Sequence, residues 1–119
     1  MRLAYVDCFS GASGDMLLGA LLDAGLELAE LEAAVARLGL QGYQLTAERQ
    51  VRQGVSGTKF NVHEEGHEHP ARNLATVRRI VEGSDLPEKV VTDSLRVFQR
   101  LAEAEAAIHG LTPEEVHFH

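Results

Sequence analysis

Residues 43–62 alternate apolar and polar side chains with a period of two, and this stretch most constrains the fold. In residues 43–51, YQLTAERQV, apolar side chains stand at nearly every second position. The turn-type residues GVSG follow at 54–57, after which Phe60 and Val62 continue the alternation. A period of two separates the two faces of a β-strand. The stretch therefore predicts an antiparallel hairpin with one solvent-exposed face.

Helical patterns lie on both sides of this hairpin. In four segments the apolar side chains repeat every three to four residues, and glycines follow the segment ends. The predicted helices cover residues 14–24, residues 28–38, a segment from the N-cap Asn73 to near Gly83, and a long segment that ends near His109. The first of these helices is apolar nearly all round, which predicts that it is buried in the core.

Two cap signatures mark helix starts in the last third of the chain. Asp85 stands three residues before Glu88, with Pro87 between them, and this spacing predicts a capping box for the long helix. Thr112 and Glu115 repeat the same spacing, which predicts one more helical turn.

Short strands are predicted near both ends of the chain. Residues 3–7, LAYVD, are expected to form a strand that is buried on at least one face. The sequence HFH at 117–119 is expected to begin another strand. These elements predict an α+β fold, a two-layer domain with a small mixed or antiparallel sheet and helices packed on one face. Residues 1–119 are long enough for one such domain.

The charge and the cysteine count limit the partners and the compartment. A formal net charge of −7 disfavours nucleic acid and anionic membranes as partners, because no basic patch is left to meet phosphates. No apolar run approaches the roughly 20 residues of a membrane span. Cys8 is the only cysteine, so the chain has no internal disulfide. The start has no secretory signal pattern, and the cytoplasm is the expected compartment.

The loop between the first predicted strand and the first helix is rich in groups that hold phosphates or metals. Its glycines would allow close backbone approach to a ligand, and free amides at a helix N-terminus attract anions. The residues concerned are Asp7, Cys8, Ser10, Gly11, Ser13, Gly14 and Asp15. Because carboxylates flank the loop, a cation-assisted phosphate site is the functional interpretation. The structural alternative is that Ser13 caps the helix and Asp15 complements its dipole.

The histidines and the cysteine are further side chains that could bind a metal ion. His63, His67 and His69 lie in or beside an acidic loop, and imidazole with carboxylate suits Ni²⁺ or Zn²⁺. A solvated polar loop is the alternative. Cys8 is either a soft metal ligand or a small buried hydrophobic residue. His117 and His119 would share one face of a strand.

Glu105 and His109 are spaced i, i+4 on the long predicted helix. This spacing suits two groups that line a site, and it also suits a plain surface pair.

Several segments together resemble one known family. DCFSGASGDMLLGALLDAG at residues 7–25 looks like the N-terminal signature of the LarC family, the nickel-insertion proteins of nickel-pincer cofactor synthesis. RLAEAEAAIHG at 100–110 and PEEVHFH at 113–119 agree with later family motifs in the same order. The resemblance covers essentially the whole chain.

The resemblance implies a defined activity. Such proteins insert Ni²⁺ into pyridinium-3,5-bisthiocarboxylic acid mononucleotide in a CTP-dependent cyclometallation, which gives the prosthetic group of lactate racemase. This implies a nickel chelatase of the lyase class. The family continues well beyond the HFH motif, so the chain is expected to be an N-terminal part. CTP, with Mg²⁺ or Mn²⁺, is expected to bind the C-terminal portion, which would be a partner of this chain. Lactate racemase and a second copy of the chain stay open as partners.

By motif position, the resemblance implies site residues at Asp7, Cys8, Ser10, Gly11, Ser13, Gly14, Asp15, Glu103, Glu105, His109, His117 and His119. The role of each residue, and the inclusion of His63, His67 and His69, are inferred from side-chain chemistry and not from the resemblance. The expected catalytic residues are Asp7, Asp15, Glu105 and His109. The expected substrate-phosphate residues are Ser10, Gly11, Ser13 and Gly14. The expected metal ligands are Cys8, His63, His67, His69, His117 and His119. Two alternatives remain, a nickel- or zinc-binding chaperone without chemistry of its own and a scaffolding module.

Overall fold

The fold is of the α+β class, as predicted. A computed structural model describes residue 1, residues 3–66 and residues 71–118. The helices are α1 (Gly14–Asp23), α2 (Leu28–Ala36), α3 (Leu74–Glu82), α4 (Glu88–His109) and a 3₁₀ turn (Pro113–Glu115). The strands are β1 (Tyr43–Arg52), β2 (Val55–Glu64), β3 (Arg72–Asn73) and β4 (His117–Phe118). Among the described residues, no helix is long and apolar enough to cross a membrane.

The chain divides into two compact units. The first unit consists of Met1–Leu31 and Tyr43–Glu64, and the second consists of Glu32–Gly42 and Glu65–His119. The division falls within α2, in which no residue is buried. The assignment of residues 1–119 to a single domain stays a prediction.

In the first unit, β1 and β2 form the predicted antiparallel hairpin. Their register runs without a break from Tyr43 opposite Glu64 to Arg52 opposite Val55. The turn differs from the prediction, because it is formed by Gln53 and Gly54, both with positive φ, and not by residues 54–57. Two positive φ angles give a tight turn whose twist matches that of the strands, so the pairing extends further than the sequence suggested.

Helix α1 packs against β2 through a glycine. Gly19 is buried, and a Cβ atom built on it would lie 2.6 Å from the backbone oxygen of Thr58. At the end of α1, Asp23 Oδ1 accepts hydrogen bonds from Thr58 Oγ1 at 2.7 Å and from Arg49 Nη1. Phe60, which is only 3% exposed, supplies the apolar contact surface of β2. The helix is therefore held by close backbone contact at Gly19 and by polar contacts at its C-terminal end.

Two predictions about the start of the chain are wrong. Residues 3–7 do not form a strand, and Leu3 and Tyr5 are 84% and 92% exposed. A strand needs a neighbouring backbone to pair with, and the described strands pair only as β1–β2 and β3–β4. Helix α1 is not buried on all sides, since Met16 and Leu21 are about half exposed. The physical reason is that the helix meets β2 on one side only.

The second unit has its own small core. Its buried side chains lie on α3, on α4 and just after the 3₁₀ turn. One cluster consists of Leu74, Ala102, Ala106 and Val116, with Phe98 and Phe118 packed against it, and α3 also buries Val77 and Val81. The two phenylalanine rings meet edge to face with centroids 5.4 Å apart. This contact joins α4 to β4, which pairs with β3.

Local cap signals in the second unit are largely confirmed. Asn73 Oδ1 accepts from the Thr76 backbone N–H at 2.9 Å, as predicted for an N-cap. Gly110, in the left-handed conformation, ends α4. Thr112 and Glu115 form the predicted capping box.

The predicted capping box at Asp85 is wrong. Helix α4 begins at Glu88 with Pro87 as its N-cap, and no side chain makes the cap hydrogen bond. The Asp85 backbone N–H donates to the Arg37 carbonyl at 3.1 Å, and its carboxylate lies 3.7 Å from Arg37 Nε. These contacts with Arg37 hold Asp85, so it does not reach the first turn of α4.

The close contact at Gly19 predicts that one added methyl group at this position lowers the stability of the fold. We expect Gly19→Ala to lower the free energy of unfolding by about 1–3 kcal/mol, because the new Cβ would meet the rigid Thr58 carbonyl. Urea denaturation followed by circular dichroism measures this change. Gly14→Ala is the matched control, since nothing lies within 4 Å of a Cβ at that position. If Gly19→Ala and Gly14→Ala have equal stability, the packing described for α1 is wrong.

Candidate functional site

The N-terminus of α1 is built around Ser13 and Asp15. Ser13 Oγ donates to Asp15 Oδ1 at 2.5 Å and accepts from the Met16 backbone N–H at 3.4 Å. This is the structural alternative set out from the sequence, in which Ser13 caps the helix and Asp15 occupies its first turn. The hydrogen bond from Ser13 is the main reason that the pKa of Asp15 lies below its usual value, and partial desolvation opposes it. Asp15 is therefore a fixed negative charge at neutral pH.

The preceding loop is open to solvent. A turn closes between the Gly11 backbone N–H and the Cys8 carbonyl at 2.9 Å, and Gly11 has a φ of 92°. No atom lies within 4 Å of a Cβ built at Gly11 or at Gly14. Asp7, Ser10 and the free thiol of Cys8 are exposed. The alternative that Cys8 is a buried hydrophobic residue is wrong, and the loop presents its thiol and carboxylate to solvent.

A cavity of about 340 Å³ lies beside the start of α1 and is lined by that helix and by the hairpin. Helix α1 contributes Asp15 and Met16. The hairpin contributes two basic side chains, Arg52 and Lys59, together with Ser56 and other residues near its closed end. We call this feature the hairpin cavity. No sequence motif indicates this cavity, because the alternation of residues 43–62 predicts only the hairpin itself.

The basic side chains were the signal that could have indicated this cavity. Lys59 is one of two lysines, and the other, Lys89, is paired with Asp93 at 2.6 Å. Within residues 3–66 and 71–118, neither Arg52 nor Lys59 has a carboxylate partner within 4.0 Å. In a chain of net charge −7, two basic side chains without a carboxylate partner beside one cavity form a distinct feature.

The predicted histidine ligands lie in different parts of the chain. His63 is exposed on β2, where its Nε2 lies 2.9 Å from Thr46 Oγ1. His67, His69 and His119 lie outside the described residues. Among the residues that the structure describes, no group of three or more His, Cys, Asp or Glu side chains could hold a metal ion. The predicted histidine site therefore stays a prediction.

In the second unit, the structure brings Glu105 and His109 together. His109 Nε2 lies 3.3 Å from Glu105 Oε2, one turn apart on α4, and both side chains are about half exposed. This is the geometry of the surface-pair alternative, and it also leaves the imidazole reachable from solvent. His117 lies on β4 opposite Asn73.

The chain belongs to the nickel insertion protein family, whose profile it matches over residues 4–119. It is 49% identical over 120 residues to the pyridinium-3,5-bisthiocarboxylic acid mononucleotide nickel insertion protein of Desulfitobacterium hafniense. It is 41% identical over 127 residues to the protein of the same name from Acetivibrio thermocellus. Both matches cover 100% of this chain but only 29% and 31% of those relatives. No solved structure is significantly similar to the chain.

The Ser13–Asp15 contact predicts a measurable change in acidity. We expect Ser13→Ala to raise the pKa of Asp15 toward its usual value, because the largest cause of the lowered value is removed. Carbon-detected NMR titration of the Asp15 carboxyl group measures this. Asp93 is the internal control, since Lys89 and not Ser13 lowers its pKa.

The same contact contributes stability in a defined pH range. Because the folded-state pKa of Asp15 is lowered, the contribution is present above the unfolded-state value of about 4 and is lost as the pH falls through the folded-state value. An unchanged pKa of Asp15 in Ser13→Ala would contradict the assignment of Ser13 as its partner.

Proposed function

We propose that this chain forms the N-terminal, substrate-handling part of an enzyme that inserts Ni²⁺ into pyridinium-3,5-bisthiocarboxylic acid mononucleotide. The observation that carries this proposal is the family match over residues 4–119, together with the names of relatives that are 41–49% identical. The chain spans about 30% of the length of those relatives, so it supplies part of their machinery. The product would be the nickel-pincer prosthetic group of lactate racemase.

The chemistry needs a base as well as a metal site. When the nickel–carbon bond forms, the ring C–H bond breaks, its electron pair goes to the metal and its proton goes to a base. The two thiocarboxylates supply the sulfur ligands, and no electron is gained or lost. The step is therefore an acid–base and ligand-exchange reaction that carboxylates and imidazoles can support.

Four side chains are candidates for this base, and their surroundings rank them. Asp15 is held by Ser13 and has a lowered pKa, so it suits stabilising positive charge better than accepting a proton. In the Glu105–His109 pair, the carboxylate lies 3.3 Å from the ring nitrogen and can orient the imidazole. We propose His109 as the proton acceptor and Glu105 as its positioning residue. Asp7, in the exposed loop, is the remaining candidate.

Nickel, as a substrate, would be collected by imidazole and thiolate groups. His63, His67 and His69 are proposed to capture Ni²⁺, and these borderline ligands suit the ion. Cys8, His117 and His119 are proposed as further Ni²⁺ ligands.

Two places on the first unit could hold the substrate phosphate. One is the loop with the α1 amides, at Ser10, Gly11, Ser13 and Gly14, and the other is the basic part of the hairpin cavity.

In a protein as long as these relatives, the region that this chain does not cover would supply the other parts of the enzyme. CTP, with Mg²⁺ or Mn²⁺, is proposed to bind that region, which makes the region the main partner of this chain. Assignment to the lyase class and a location in the cytoplasm belong to the same proposal. Lactate racemase and a second copy of the chain stay open as further partners.

A metal chaperone is the second candidate function, and the histidine- and acid-rich segment at residues 63–69 favours it. A chaperone would bind Ni²⁺ or Zn²⁺ without affinity for a pyridinium mononucleotide. A scaffolding module is a third candidate, and the exposed side chains of Leu3, Tyr5 and Phe9 favour it. Binding of the mononucleotide separates the first proposal from both.

A chimera tests the proposed function directly. In it, this chain replaces the matching N-terminal region of the Desulfitobacterium hafniense relative. With Ni²⁺, CTP, Mg²⁺ and the mononucleotide, we expect mass spectrometry to detect the nickel-containing product. His109→Ala in the chimera should lower the rate by about 10²–10⁴-fold, since a general base is lost. A chimera that folds and binds nickel but forms no product would contradict the proposal.

Nickel titration tests the proposed capture ligands. We expect replacement of His63, His67 and His69 by alanine to weaken nickel binding by about tenfold or more, measured by isothermal titration calorimetry. His109→Ala is the matched control, because it removes the one imidazole of the chain that is not proposed as a nickel ligand. If the triple variant titrates like the wild type, the capture site is wrongly assigned.

A further inference from the structure

The hairpin cavity has room for a small ligand. Its volume of about 340 Å³ lies in the range of small-molecule sites. Met16, Val55 and the buried Phe60 give it apolar lining. Polar groups stand among these side chains, and an apolar surface with a few placed polar groups is the usual composition of a ligand pocket.

The charges around the cavity have both signs. Arg52 and Lys59 lie on the hairpin, and Asp15 lies on α1. Asp15 is ionised and held in place by Ser13, and Lys59 is near enough to stabilise its charge. The two basic groups have no carboxylate within ion-pair distance in the described part of the chain. A ligand that carries both a cation and an anion would satisfy all three groups.

The uncharged polar groups add hydrogen-bonding capacity. Ser56 is an exposed hydroxyl in the lining, and no hydrogen bond to another described side chain occupies it. Thr58, by contrast, already donates to Asp23. Ser56 and Lys59 are three residues apart on β2, so their side chains lie on opposite faces of the hairpin. The free Ser56 hydroxyl therefore suits a ribose hydroxyl, whereas the Lys59 ammonium and the Arg52 guanidinium, which share a face, suit phosphate oxygens.

We propose that the hairpin cavity, and not the loop before α1, holds the phosphate of a pyridinium mononucleotide, with the phosphate on Arg52 and Lys59, the Ser56 hydroxyl at the ribose, and the cationic ring beside Asp15 and Met16. This inference rests on the proposed function, because it places the substrate of that function in a site made by α1 and the hairpin. It assigns binding roles to Arg52, Ser56 and Lys59, which no motif of the sequence had indicated.

Nicotinamide mononucleotide is the probe, since it has a pyridinium ring and a phosphate but no thiocarboxylates. The 119-residue chain is titrated without metal and followed by backbone-amide NMR. We expect saturable shifts centred on Met16, Ser56 and Lys59. Nicotinamide riboside, which lacks the phosphate, and ribose 5-phosphate, which lacks the ring, should each bind at least tenfold more weakly.

Variants at the basic residues complete the test. Lys59→Gln and Arg52→Gln should each raise the Kd of the probe by about tenfold, and Lys59→Arg should keep most of the affinity because it retains the charge. Lys89→Gln is the matched control, since it removes the other lysine, which is paired on α4. The three side chains concerned, Arg52, Lys59 and Lys89, are exposed, so the variants are expected to fold.

Three outcomes would overturn the inference. They are an absence of saturable shifts at the cavity, an unchanged Kd in both Lys59→Gln and Arg52→Gln, and equal affinity for ribose 5-phosphate and the mononucleotide. Equal affinity for these two compounds would mean that the cavity recognises the phosphate group but not the pyridinium ring. Because the titration contains no nickel and measures no product, it can fail while the chimera is active, or succeed while the chimera is inactive. Failure of this inference is therefore distinguishable from failure of the proposed function.

Discussion

The first unit depends on the close approach of Gly19 to the Thr58 carbonyl. Without a side chain at position 19, α1 can lie directly against the backbone of β2. Asp23 then reaches Thr58 and Arg49 at one end of the helix. At the other end, the start of α1 stands beside the closed end of the hairpin. The absence of a side chain at Gly19 thus sets the spacing between α1 and β2, on which the hairpin cavity depends.

Local signals explain what the sequence predicted well. The hairpin follows from its period of two, and the helix ends at Asn73 and Gly110 follow from side-chain and backbone preferences within a few residues. Thr112 and Glu115 form their capping box for the same reason. Such features depend on neighbours in the sequence, so they can be read without knowledge of tertiary contacts.

The features that were predicted wrongly or not at all depend on contacts with residues distant in the chain. Residues 3–7 have strand-like composition but no described strand to pair with. Asp85 has the right spacing for a cap, yet contacts with Arg37 hold it elsewhere. The hairpin cavity joins α1 to residues about 40 positions later, so no single motif contains it. Of the site residues, the sequence predicted the Ser13–Asp15 and Glu105–His109 pairs, whose spacings are local, but not Arg52, Ser56 or Lys59.

The two units offer different chemistry. The first unit offers a fixed carboxylate, an exposed thiol and a cavity with two basic side chains, which suits holding a charged mononucleotide. The second unit offers an imidazole beside a carboxylate, which suits moving a proton. Nickel insertion needs both tasks, and membership of the nickel insertion protein family is the reason to consider them together.

A crystal structure of the chain with pyridinium-3,5-bisthiocarboxylic acid mononucleotide would test the central claim most directly. The account predicts the phosphate within hydrogen-bond distance of Lys59 and Arg52, with the ring beside Asp15 and Met16. An ordered mononucleotide bound elsewhere on the chain, with the hairpin cavity empty, would contradict it.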